Sequence, residues 1–243
     1  MSALEEKQEG IFLGTIARFT EIDPNLPWFD AETLDEADDL LVRQVEIPEN
    51  LKPNYVPFSF IFDPQHHTLV FETYSRGQRI SPKIVSKYFS QLVATSPELN
   101  YEEIIVNLVQ DKDRLEDVVN LASLKRLIIV LERPNADDLG GLDEEVEERL
   151  RRINARSLEQ KFEASEGQSL APDNQTMQLA RVAVANGNVI SHGKTIEGTT
   201  VDRSLSEHPL IEKLSFDPDE MLDTQALRAL AARVINKIGE HLG

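Results

Sequence analysis

The stretch LKRLIIVLE, Leu124 to Glu132, constrains the fold more than any other. Leu127 to Leu131 are consecutive apolar residues, and Ile128, Ile129 and Val130 are β-branched, the type whose stiff χ1 favours extended backbone. The run reads as a buried strand. VPFSFIF (Val56 to Phe62) is a second apolar run. It leads through DPQHH into TLVFETY, a clear hairpin in which Asp63-Pro64 sets the turn. IFLGTIARF, from Ile11, and YEEIIVNLV, from Tyr101, read as further strands.

Between these runs the apolar period changes to that of a helix. Ser81 and Pro82 supply an N-cap and a first helical residue, and Ile84, Val85, Tyr88, Phe89 and Leu92 follow at helical spacing. DKDRLEDVVNLA reads as a short helix. A longer helix is expected from Leu142 through DEEVEERLRRINARSLEQKF, with its acids early and its arginines late, as the helix dipole favours. QLARVAVA and NVISHGKT flank Asn186-Gly187, the strongest short-range hairpin signal available, and TTVDRSL reads as a third strand beside them. The closing TQALRALAARVINKIGEHL is an amphipathic helix with Leu227, Leu230, Val234, Ile235 and Ile238 on one face.

Strands alternating with helices in this way predict an α+β fold, a mixed or antiparallel sheet with helices packed on it. The expected organisation is a main domain over 1–163 and a linker over 164–177, where ASEGQSLAPDNQ is polar and turn-rich. A β-hairpin plus C-terminal helix over 178–243 forms either a small subdomain or part of the same domain. The main domain carries an acidic, proline-punctuated excursion at 23–57 with a short helix around DEADDLLVRQV.

Composition narrows the chemistry. The chain has no cysteine, which removes disulfides and thiolate zinc sites. Its start is polar and acidic, unlike a secretory leader, and no apolar run approaches the roughly 20 residues that span a bilayer, so a cytoplasmic protein without membrane partners is expected. The net charge of −18 opposes indiscriminate binding to nucleic acid but allows a local basic patch. Charge is unevenly placed. Glu21 to Glu49 holds ten carboxylates and one arginine, whereas Tyr74 to Pro97 holds Arg76, Arg79, Lys83 and Lys87 and no carboxylate. These four cations surround the expected helix start at Ser81, with Lys83 and Lys87 on one helix face and Tyr74 and Tyr88 nearby. They are the candidate anion-binding, and specifically nucleic-acid-binding, residues.

Catalytic motifs are weaker. ANGNVISHGKT resembles a phosphate-binding loop, but five residues separate Gly187 from Gly193 where the motif has four, Val189 and Ile190 prefer strand, and no helix opens after Thr195. Lys194 is then an ordinary strand-end lysine. Arg203 and His208 match the Arg-x4-His of HEPN-type ribonucleases, a resemblance that implies phosphate steadying by the arginine and proton transfer by the histidine. That family is helical, whereas TTVDRSLSEHP reads as a strand and turn. His66 and His67 with Asp63 leave a metal site one ligand short. Asp111 with Asp113, or Asp137 with Asp138, could pair on a metal, but the Glu72 strand lacks the lysine of a metal-dependent nuclease. No cofactor and no metal are expected.

The passage through ERPNADDL into a helix, then ANGNVISHG and the C-terminal helix, resembles an uncharacterised family of bacterial proteins associated with mobile elements. Arg133-Pro134-Asn135 is its quotable core. The plan is similar to that of the phage-exclusion protein RexA, a likeness that implies duplex-DNA binding without catalytic motifs. The expected function is a non-enzymatic binding or regulatory component of an anti-phage defence or mobile-element system, contacting nucleic acid or a protein partner. A homodimer through the C-terminal helix is open. The alternatives are a nuclease, HEPN-like or metal-dependent, and an acidic mimic of DNA that inhibits a basic partner.

Overall fold

The computed structural model describes residues 2–8, 10–23, 25–96, 104–132, 142–217 and 219–242. The fold is α+β, with antiparallel sheets and helices in two compact units, Met1–Arg79 and Ile80–Gly243. The boundary falls at Arg79, not in the stretch 164–177 expected to be a linker. Strands on both sides of that stretch join one sheet.

The first unit begins with β1 (Ser2–Gln8) and β2 (Ile11–Arg18). Two small elements follow, the pair β3 (Phe29–Asp30) and β4 (Asp35–Glu36), and one helical turn, α1 (Asp39–Val42). The hairpin β5 (Val56–Asp63) and β6 (Thr68–Phe71) comes next, then a second, shorter hairpin, β7 (Tyr74–Ser75) and β8 (Gln78–Arg79). The order β1-β2-β5-β6 makes a four-stranded antiparallel meander interrupted once, by the excursion between β2 and β5. Its centre is apolar: Leu13 and Ile16 of β2 stand opposite Ile61 and Phe58 of β5, and all four are buried. β1 escaped the sequence reading because SALEEKQ carries no apolar run.

The second unit opens with α2 (Pro82–Ala94), a 3₁₀ turn at Lys112–Arg114, α3 (Leu115–Val119) and β9 (Ser123–Glu132). Then come α4 (Leu142–Arg152), β10 (Ser157–Glu163), α5 (Asn174–Asn186), β11 (Gly187–Lys194), β12 (Thr200–Ser204), a 3₁₀ turn at Leu205–Glu207 and α6 (Asp223–Leu242). The sheet order is β10-β9-β11-β12, antiparallel throughout, so LKRLIIVLE is a central strand. It is buried on one face more than on the other. Leu124, Leu127, Ile129 and Leu131 are closed off, while Ile128 and Val130 are half-buried. Leu124 joins the face of Leu127 because Lys125 is an extra residue opposite the His192–Gly193 step, a bulge that restores the parity three residues would break.

α3, α4 and α5 cover this face. Leu115, Val118, Val146, Leu150, Ala180, Ala183 and Val184 form one core with the β9 residues, Val189 and Leu205. Each fully buried leucine, isoleucine or valine contributes about 1.5–3 kcal/mol through its removal from water. α5 corrects the expected hairpin at Asn186-Gly187: QLARVAVA is helical and passes into β11 without a loop. Asp173 starts it, accepting a hydrogen bond from the Thr176 amide at 2.8 Å. Gly187 stands at the junction for another reason. A Cβ there would lie 1.9 Å from the Val130 carbonyl oxygen, and one at Gly193 would lie 2.2 Å from that of Ser123. Both glycines let β11 approach β9.

Other expectations also change. The helix from Leu142 ends at Arg152, and SLEQKFE becomes the edge strand β10. Residues 104–109 form no strand. Gln110 instead makes a single bridge to Pro209. On α2 only Val85 is buried; Tyr88 and Phe89 are half-buried in an edge-on ring pair at 5.2 Å, and Ile84 and Leu92 are exposed. α6 buries Leu227, Val234 and Ile235, with Leu230 and Ile238 half-buried, matching its expected face. Among the described residues no helix is long and apolar enough to cross a membrane.

Candidate functional site

The four candidate cations divide between the two units. Arg76 and Arg79 belong to the β7–β8 hairpin, in which Tyr74 pairs with Arg79 and Ser75 with Gln78. Its two-residue turn, Arg76-Gly77, has positive φ at both positions, 47° and 78°, the mirror-image turn that matches strand twist. Glycine takes that conformation freely; Arg76 takes it against steric resistance from its Cβ. Arg18, at the end of β2, donates through Nη1 to the Arg79 carbonyl at 2.7 Å and ties the hairpin down.

Lys83 and Lys87 lie one turn apart on α2. Pro82 is its first residue, as expected. Ser81 has the extended backbone of a cap, but its hydroxyl makes no capping bond. Lys83 is the only charge in the first turn. All four cations are exposed, and none forms an ion pair with a described residue. Other cations are engaged: Lys52 with Glu21 at 2.5 Å, Arg114 with Asp117 at 2.9 Å, and Lys161 with Glu163 at 3.0 Å.

Several of the catalytic candidates make contacts within the fold. Arg203, on β12, donates through Nη1 to the backbone carbonyl of Asp117. His208 follows the 3₁₀ turn; its carbonyl accepts the Asp111 amide at 2.8 Å. The Arg-x4-His stretch is therefore strand and turn, the backbone that its residue pattern implies. In the β5–β6 turn, His66 Nδ1 lies 2.8 Å from Asp63 Oδ2, and Asp63 also accepts the Gln65 amide at 2.8 Å. Burial pushes the Asp63 carboxyl up, but the bonds from the His66 ring and the Gln65 and His66 amides outweigh it and hold it below its usual range. The pair caps a turn. Asp111 caps the 3₁₀ turn through the Asp113 amide at 3.1 Å, and Glu72 accepts the Ser59 amide at 2.8 Å. Lys194 ends β11, as expected. No group of three metal-ligating side chains comes together among the described residues. Asp137, Asp138 and Arg133-Pro134-Asn135 lie outside them.

The sequence reading missed a set of exposed apolar side chains in the excursion, among them Phe29, Leu34 and Leu40. Their spacing follows no period, and the surrounding carboxylates dominated. The signal was present in composition alone: large apolar residues persist through a stretch with no strand or helix long enough to bury them.

A family model described as a domain of unknown function, DUF4747, matches residues 1–232. No curated protein and no solved structure matches the chain.

Proposed function

The chain belongs to the DUF4747 family, and we propose that it is a non-enzymatic binding or regulatory component of a bacterial anti-phage defence or mobile-element system. It acts in the cytoplasm and contacts nucleic acid through Arg76, Arg79, Lys83 and Lys87. The observation that carries this reading is the exposure of all four cations, unpaired among the described residues, on a chain with net charge −18. In a molecule with that excess of carboxylate, twenty-four consecutive residues without one lower the repulsion that a phosphate backbone meets from the sequence neighbours of each cation. The arginines offer planar forks to phosphate oxygens, and the lysines offer mobile point charges. The engagement of Arg203 by the Asp117 carbonyl favours binding over cleavage. The resemblance of the ERPNADDL-to-ANGNVISHG passage to mobile-element proteins supports the defence setting.

Gel-shift titration of duplex DNA and RNA across salt tests the reading. Replacing all four cations with alanine is expected to weaken binding by at least about tenfold. It also makes the salt dependence shallower, by about 0.9 in log–log slope for each duplex-DNA phosphate that is no longer neutralised. Unchanged affinity and slope overturn it, and so does cleavage of the labelled strand that is abolished by His208→Ala.

A further inference from the structure

Within the connection from β2 to β5, the thirty-one residues 25–55 include none that is buried. The stretch is nevertheless rich in apolar side chains. Nine of the eighteen exposed large apolar residues among those described fall within it, led by Leu34 at 75%, Phe29 at 69% and Leu40 at 67% exposure. An even scatter would place about two or three there. The segment is shaped without a core. Asp30 accepts the Glu32 amide at 2.8 Å, Asp38 accepts that of Leu40 at 2.8 Å, and the Ala37 amide donates to the Trp28 carbonyl at 2.7 Å. Leu34 also holds a φ of 56°, where leucine is disfavoured, while standing exposed. Among the described residues of the first unit, none closes over the apolar side chains at these positions.

Charge selects the occupant. From Glu21 to Tyr55 there are ten carboxylates against Arg43 and Lys52, and Lys52 is already paired with Glu21. A nucleic acid or an anionic lipid surface is repelled by such a field. A cationic protein surface is drawn to it, and desolvated apolar contacts at its centre supply the affinity that rim charges do not. We propose that residues 25–55 are the docking segment for a protein partner that presents apolar side chains among lysines and arginines. The proposal is independent of the polyanion reading, because it uses none of the four cations.

Trp28, the chain's one tryptophan, sits half-buried inside the segment and reports on its occupancy. The full chain is titrated with an amphipathic leucine–lysine peptide, followed by Trp28 fluorescence, beside an oligolysine of equal charge. The comparison is repeated with Phe29→Ser, Leu34→Ser, Leu40→Ser and Leu41→Ser combined, which leaves every charge in place. The leucine–lysine peptide is expected to saturate at one site and to bind at least about tenfold tighter than oligolysine. The quadruple variant is expected to erase that advantage while keeping its far-UV spectrum and its thermal unfolding midpoint. Equal affinity for the two peptides, or full binding by the variant, overturns the proposal by reducing the effect to counter-ion attraction. A concentration-dependent dimer of the wild type that the same substitutions abolish also overturns it, by making a second copy the occupant.

Discussion

β11 and the excursion over 25–55 are built by opposite rules. In eight residues β11 leaves only Lys194 exposed. It places Val189 in the core and directs its one fully buried hydroxyl, that of Ser191, to the Val118 carbonyl at 2.5 Å. In thirty-one residues the excursion buries nothing, yet carries more large apolar side chains. Hydrophobicity is therefore a poor guide to what holds this molecule together. What distinguishes the two regions is whether backbone pairing delivers the side chain to a closed face. Where β9 and β11 are hydrogen-bonded, each apolar residue has neighbours waiting. In the excursion the backbone bonds mostly to itself, and apolar residues stay in water for another purpose.

The contrast breaks first at Gly187. Its φ of 168° is ordinary extended backbone, so a substitution there tests space alone. Gly187→Ala drives a methyl onto the Val130 carbonyl, and the obstacle is backbone that cannot swing aside. Loss of about 3 kcal/mol or more, or failure to fold, is expected in guanidinium unfolding. A loss under about 1 kcal/mol would mean that the two strands can part locally, and that β11 is held less tightly than its pairing implies.

A matched pair of truncations sharpens the difference. Ile129→Ala, at a site with no exposure, is expected to cost about 2–5 kcal/mol through lost transfer energy and the cavity left behind. Phe29→Ala removes a larger side chain and is expected to shift stability by no more than about 0.5 kcal/mol, because its ring already faces water. Comparable losses from both would place Phe29 in a core and would undercut the docking proposal.

The pairing was legible in the sequence only where local signals were unambiguous. LKRLIIVLE, the β5–β6 hairpin with its Asp63-Pro64 turn, and the helix opening at Pro82 carry their periods and punctuation within a few residues. SLEQKFE failed because its residues individually favour helix. It is a strand only through pairing with β9, and as an edge strand it exposes most of its side chains. QLARVAVA failed in the other direction. Valines suggested strand, and Asn186-Gly187 suggested a turn. The cap that reveals the helix, Asp173 with Thr176 three residues on, was absorbed into the expected linker. The candidate cations were legible as a charge contrast, and all four are exposed. Which side chains the fold leaves outside was not legible, since burial depends on pairings dozens of residues away.

The smallest effect bears most directly on purpose. Leu34 closes the turn between β3 and β4 with a φ of 56°, and Asp30 holds that turn through the Glu32 and Thr33 amides, at 2.8 and 3.3 Å. Those amides hold the Asp30 carboxyl below its usual range, because both donate to its charged form. Asparagine adopts the left-handed region far more readily than leucine and adds no apolar surface to water. Leu34→Asn is therefore expected to leave stability unchanged or raise it by about 0.5–1 kcal/mol in thermal unfolding, while weakening the leucine–lysine peptide. A stabilising substitution that damages binding is the signature of a residue kept for contact rather than for fold. Destabilisation by more than about 1 kcal/mol would show instead that Leu34 packs within the first unit, and its exposure would then say nothing about a partner.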